Sequence, residues 1–228
     1  MCKPTIPARF VALLLVLVFA LTAVAKDKPF EMPKTFHAKT YPAVDAHDDE
    51  KVAIAADPYD LPDKAAIFTG NYAAENVLPI FFVVSNDSEK PVSLVDLDVM
   101  LITVDRAKLR PMSDDDLYRR FSHMKRRGDE PNTRPWPLPK PKLKASVKKN
   151  IQDEYESAQF LARAVETHTT RGGFLFFDVD ELDHPLAGAR LDISGVKDSS
   201  GSELLYFDIS MKKYLTYQPG VTETPATK

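Results

Sequence analysis

A mainly-β sandwich interrupted by helices is the fold class this sequence predicts. Three observations carry that reading. About seven short apolar runs, alternating or continuous, are separated by turn residues. Glycine is sparse at 8 and proline plentiful at 18 among 228 residues, which favours strands joined by stiff loops over an all-helical chain. The strand pattern stops near residue 113 and resumes near 168, with two helix-like stretches between. Hydrophobic content of 44% and charged content of 28% are ordinary for a globular chain with a sizeable core.

The first 25 residues read as a signal peptide. Lys3 and Arg9 precede the apolar run FVALLLVLVFALTAVA, which ends in Ala23-Val24-Ala25, a small-residue cleavage pattern. The run is shorter than the roughly 20 residues that span a bilayer. Cleavage after Ala25 leaves no transmembrane span and sends the chain to the periplasm or outside. An uncleaved anchor is the alternative. Cys2, the single cysteine, leaves with the signal, so the mature chain has no disulfide, thiolate metal site or cysteine nucleophile.

Residues 26–50, with three prolines and no sustained period, read as an extended, weakly ordered arm. The domain proper is expected over 51–210. KVAIAADPY and KAAIFTGNY give two short strands, and NVLPIFFVVSND a strong third closed by Asn86 and Asp87. PVSLVDLDVMLITVD gives a long fourth, with Val95, Leu97, Val99 and Leu101 on one face. The other face turns from polar to apolar along it, which calls for a bend or a division in two.

The helical insert is expected over 113–165. Ser113 fits an N-cap, Asp114 to Asp116 suit the positive end of the helix, and Leu117, Phe121 and Met124 make an apolar stripe. A proline-rich stretch, EPNTRPWPLPKPKLK, should be extended, a rigid spacer or a proline-rich ligand face. A second helix is expected from Ser146, with Val147, Ile151, Tyr155, Ala158, Ala162 and Val165 at spacings of three and four. Strands resume with GGFLFFDV, ARLDISGV and ELLYFDIS, and residues 211–228 read as a polar, disordered tail. Two strands, around 80–84 and 174–179, are apolar on both faces. A sheet with one wet side needs only one apolar face, so the insert is expected to cover the other, or a partner is.

Charge is unevenly placed. From Asp105 to Lys149 there are 14 Lys/Arg and 6 Asp/Glu, while the whole chain is at −3. Such a stretch suits an anionic envelope component or an acidic protein surface, or else neutralises the acidic domain beside it. Arg119, Arg120, Lys125, Arg126, Arg127 and Trp136 are the candidate contacts. Nucleic acid is not expected, because export removes the chain from it. His37, His47, Asp48 and Asp49 are candidate metal ligands by residue type, although their spacing matches no known motif. His168 and His184 flank the Phe-rich strand and could do acid–base work, but no serine lies in a nucleophile-elbow context and no glycines form a phosphate loop. No catalytic residue and no cofactor are assigned.

LPIFFVVSNDSEKPVSLVDLDVMLIT, a long excursion, GGFLFFDV and a closing ELLYFDI resemble the immunoglobulin-like extracellular domains of uncharacterised bacterial exported proteins. The likeness covers roughly 51–210 without the insert, and it implies a fold rather than a function. The long basic insert departs from that pattern, as does the missing lipobox cysteine. The expected function is a non-enzymatic binding or scaffolding module of the cell envelope. A periplasmic hydrolase or metal-binding protein, and a purely structural envelope protein, are the alternatives.

Overall fold

The computed structural model describes residues 30–122 and 149–216. The expected signal peptide, the proline-rich stretch and most of the expected tail lie outside the described residues. The described chain is mainly β, with antiparallel sheets that do not close into a barrel. One sheet has the order β1 (Val44–His47), β2 (Val52–Pro58), β3 (Val77–Asn86), β8 (Thr169–Asp178). The second has the order β10 (Phe207–Ser210), β9 (Arg190–Ser194), β5 (Asp98–Ile102), β6 (Lys108–Leu109). A two-stranded ladder joins β4 (Val92–Ser93) to β7 (Ala164–Val165). The helices are α1 (Pro62–Ala65), α2 (Asp114–Phe121), α3 (Lys149–Ala158) and α4 (Lys212–Thr216).

β3 organises the molecule because all ten of its residues are buried. Alternation sends Leu78, Ile80, Phe82 and Val84 into an inner core with Val99 and Leu101 of β5, Leu191 and Ile193 of β9, and Phe207 and Ile209 of β10. Val77, Phe81 and Val83 point the other way, into an outer core with Phe174 and Phe176 of β8. Leu117 and Phe121 of α2 and Tyr155 and Ala158 of α3 cover that outer face, and Ala38, Tyr41, Tyr59, Phe68 and Tyr72 share the work. The second apolar face is therefore buried within the chain, and the insert is only part of its cover.

The glycine pair that opens the Phe-rich strand is explained by this double burial. A Cβ on Gly173 would sit 2.6 Å from the Phe160 Cα on the inner side. A Cβ on Gly172 would meet Thr35 Oγ1 at 2.8 Å and Phe81 Cζ at 2.9 Å on the outer side. Cover thus approaches this part of β8 closely from both faces, with backbone at Gly173 and side-chain ends at Gly172.

α2 begins where its cap predicts. Ser113 Oγ accepts from Asp116 N at 3.2 Å, and Asp116 Oδ2 accepts from Ser113 N at 3.3 Å, a complete capping box. Asp114 Oδ1 accepts from Gln159 Nε2 at 2.5 Å just beyond α3, and the Phe121 ring lies 6.3 Å from that of Tyr155. The two helices therefore meet through these side chains.

Three expectations are corrected, and one alternative is decided. The segment read as an extended, weakly ordered arm over 26–50 supplies β1, which pairs along its length with β2 from Val44↔Ala55 to His47↔Val52. KAAIFTGNY is not a strand: Pro62 starts the single turn α1, and Phe68 and Tyr72 leave the following turns to enter the outer core. Of the bend or division expected in the long fourth strand, the structure has the division: Leu97 N turns back to Leu94 O at 3.2 Å between β4 and β5 and leaves Val95 exposed. The second helix stops at Ala158, seven residues short of the pattern. Phe160 N donates to Phe174 O at 2.9 Å and its ring crosses that of Phe82 at 5.0 Å, so an unpaired edge of β8 captures the chain before another helical turn forms.

Candidate binding surfaces

The two candidate cations that the structure describes are turned toward the chain's own carboxylates. Arg119 Nη2 lies 2.5 Å from Asp116 Oδ1, one helical turn back. Arg120, with a side chain only 23% exposed, pairs with Asp178 and reaches Asp180 Oδ2 at 3.4 Å. Arg110 holds Asp98 with two bonds, at 2.8 and 3.0 Å. Lys125, Arg126, Arg127 and Trp136 lie outside the described residues. They belong to the segment that leaves α2 after Ser122 and re-enters at α3.

The candidate metal ligands are not brought together, and no group of three His, Cys, Asp or Glu side chains among the described residues is placed to hold an ion. His37 instead caps a 3-10 turn through Nδ1, which accepts from Lys39 N at 3.2 Å, and its Nε2 lies 2.9 Å from Asp87 at the end of β3. Asp48 pairs with Lys39 at 2.8 Å, and Asp49 is exposed. His47 stacks on Phe207 at 4.0 Å and lies 2.8 Å from Glu50. Asp45 and Glu50 then accept from the backbone amides of Asp208 at 2.9 Å and Leu205 at 3.0 Å. The polar run DAHDDE thus clasps the β1 edge of one sheet to the β10 edge of the other. Residue type alone does not reveal this, since the partners are more than 150 positions away.

His168 lies 3.3 Å from Glu89, both largely exposed, and His184 sits in a turn whose carbonyl accepts from Ala187 N at 3.1 Å. Among the described residues, neither histidine has a serine or threonine hydroxyl as a hydrogen-bond partner.

Two concavities stand out among the described residues. A cleft of ≈ 370 Å³ opens between the sheets, lined by Leu94, Leu97, Phe160, Leu161 and Leu175 with the Arg110–Asp98 pair beside them. A larger groove of ≈ 660 Å³ lies at the end of the first sheet. Residues 59–73 form one wall, residues 179–185 the other, and the first residues of β3 the floor. Asn76 ties the walls together: its carbonyl accepts from Val179 N at 2.9 Å and its Nδ2 donates to Asp180 at 2.9 Å. Glu154 of α3, buried, holds the near wall from behind by accepting from Thr69 N at 2.5 Å and Gly70 N at 3.2 Å.

Beyond the Tyr59 end of the groove, outside its lining, sits a lysine. Lys64 Nζ sits 4.8 Å from the centres of the Tyr59 and Tyr214 rings, 2.5 Å from Asp57 and 2.7 Å from Pro58 O. Tyr214 OH donates to Asp60 Oδ1 at 2.5 Å and to Pro58 O at 3.1 Å, which fastens α4 to the end of β2. Burial pushes the Asp57 carboxyl up, and Lys64 opposes that rise. Burial, then the Asp57 charge, pushes the Tyr59 phenol up to about 12. Tyr214 is raised by burial and by its bond to Asp60. The Tyr72 hydroxyl, buried with no well-formed hydrogen bond, is raised by burial and then by the nearby Glu154 charge.

No family model matches this chain, and neither the curated proteins nor the solved structures contain a match to it. Among the described residues no helix is long and apolar enough to cross a membrane.

Proposed function

We propose that this chain is an exported, non-enzymatic binding or scaffolding module of the cell envelope, built on an immunoglobulin-like sandwich, whose partner is anionic. The strand neighbours support the fold. In that architecture strand A lies beside B and B beside E in one sheet, while C, F and G are neighbours in the other. Here β2, β3 and β8 are neighbours in one sheet, and β5, β9 and β10 in the other. β1 and β6 are additions at the edges.

The observation that carries the function is where the positive charge of the sequence is concentrated. Arg110, Arg119 and Arg120 are committed to Asp98, Asp116, Asp178 and Asp180. Residues 123–148 hold 8 Lys/Arg and only 2 Asp/Glu, and in sequence they connect two helices of the outer layer. The basic stretch thus includes three arginines tied to the chain's own carboxylates and a segment whose composition carries positive charge in excess. That excess favours a phosphate-rich or carboxylate-rich surface.

Cosedimentation of the mature chain with phosphatidylglycerol vesicles tests the reading. Binding should be clear at low ionic strength and fall steeply as salt rises. Joint Lys125→Glu, Arg126→Glu and Arg127→Glu substitution should abolish it, while Arg119→Gln should leave it nearly unchanged. Absence of binding at low salt, or binding indifferent to salt, contradicts the proposal.

A further inference from the structure

We infer that the groove between residues 59–73 and 179–185 is a binding site for an amphiphilic amine, a small molecule with an apolar body and one ammonium group. The inference is independent of the basic segment and of its anionic partner. The groove's volume of ≈ 660 Å³ lies within the range of small-molecule sites. Its lining is mostly apolar, with Phe68, Tyr72, Val179 and Leu182 offering ring and methyl surface. It sits where both cores reach the end of the sheet: Leu78 on its floor belongs to the inner core, and Tyr72 and Val77 belong to the outer one. Its walls are pinned by bonds of Glu154, Asn76 and Tyr214, of which those of Glu154 come from behind the wall.

The charge of the lining selects the ligand. Two carboxylates, Asp60 and Asp183, line the groove and no lysine, arginine or histidine does. Asp183 has no hydrogen-bond or ion-pair partner among the described residues, and Asp60 accepts only from the Tyr214 hydroxyl. Neighbouring Asp180, by contrast, is already engaged by Arg120 and Asn76. Both carboxylates are exposed, so an anion entering here would meet screened negative charge, whereas an ammonium would meet its complement. The Tyr59 end shows that this surface accommodates an ammonium, since Lys64 already rests there between two tyrosine rings and Asp57.

The test uses dansylcadaverine, a fluorescent primary amine, and N-pentyl dansylamide, which has a similar body without the ammonium. Dansylcadaverine should bind the mature chain with enhanced, blue-shifted emission, and N-pentyl dansylamide should bind more weakly. Ala66→Trp and Ala73→Trp, each filling the groove from an exposed position, should abolish binding while circular dichroism stays unchanged. Asp183→Asn should weaken the amine by roughly two- to fivefold and leave the neutral probe unaffected. Equal affinity for the two probes, or full binding to both tryptophan variants, overturns the inference, as does an absence of saturable binding.

Discussion

The two faces of the first sheet bury apolar surface by different means. The inner face packs against another sheet, and its core is mainly aliphatic: Val52, Ile54, Ile80, Val84, Leu101, Leu191, Ile193 and Ile209. The outer face packs against short helices, turns and the segment from Phe30 to Tyr41, and its core is mainly aromatic. Phe68 alone touches Phe30, Tyr59, Tyr72 and Phe174, with ring centres between 4.7 and 6.1 Å apart. Stacked sheets keep a nearly constant spacing of about 10 Å, which branched aliphatic chains fill from both sides. Irregular cover leaves gaps of varying depth, and large rigid rings bridge them with few rotamers to lose. The comparison teaches that a sheet face can be closed without a second sheet when its cover carries aromatic anchors.

The sharpest way to break that comparison is to truncate one residue on each face. Leu191→Ala should cost ~2–5 kcal/mol and Phe174→Ala ~3–5 kcal/mol in urea unfolding, each with a single transition. If the outer layer were a loose covering, Phe174→Ala would cost under ~1 kcal/mol, or the two faces would melt separately. The glycine pair gives a smaller contrast. Gly173→Ala drives a methyl into Phe160 backbone, while Gly172→Ala meets the ends of the Thr35 and Phe81 side chains, which can shift. Gly173→Ala should therefore be the more damaging, by about 1–3 kcal/mol in the same assay.

The smallest effect expected is at high pH, and it sharpens the contrast because the raised tyrosines belong to the outer layer and its rim. Burial raises Tyr59 and Tyr155 to about 12, so the folded state keeps protons that the unfolded chain releases from pH 10 upward. Their contribution to stability is thus intact below pH 10 and is lost as pH rises toward 12. Thermal melts should show Tm declining across that window, and Tyr59→Phe should lessen the decline. A Tm that is flat from pH 10 to 12 would contradict the assignment.

Local signals were readable where a short stretch carried its own reason. The alternation of β3, the apolar run of β8 and the Ser113 cap with its following aspartates each act within a few residues, and each appears where the pattern places it. β1 and the end of α3 were not readable in this way. Val44–His47 is a strand because β2 offers it an edge, and α3 ends early because β8 offers Phe160 one. In both cases a distant backbone overrides weak local preference. The candidate site divides similarly. The basic excess is a matter of composition, but the pairing of Arg110 and Arg120 depends on Asp98, Asp178 and Asp180 arriving from elsewhere in the chain. The groove assembles residues more than 100 positions apart and has no signature in either segment.

By itself the sequence determined that strands would dominate, that two of them needed cover on both sides, and that a capped helix and a concentrated positive charge would lie between them. Hydrophobic periodicity and capping are short-range physics, and they act the same way wherever the segment ends up. Only the tertiary structure decided what covers the second face, which charges cancel, and that DAHDDE fastens two sheet edges instead of gathering around a metal. Those outcomes depend on which remote backbone amides and carboxylates come within about 3 Å of one another, and that proximity is created only when the whole chain closes around both cores.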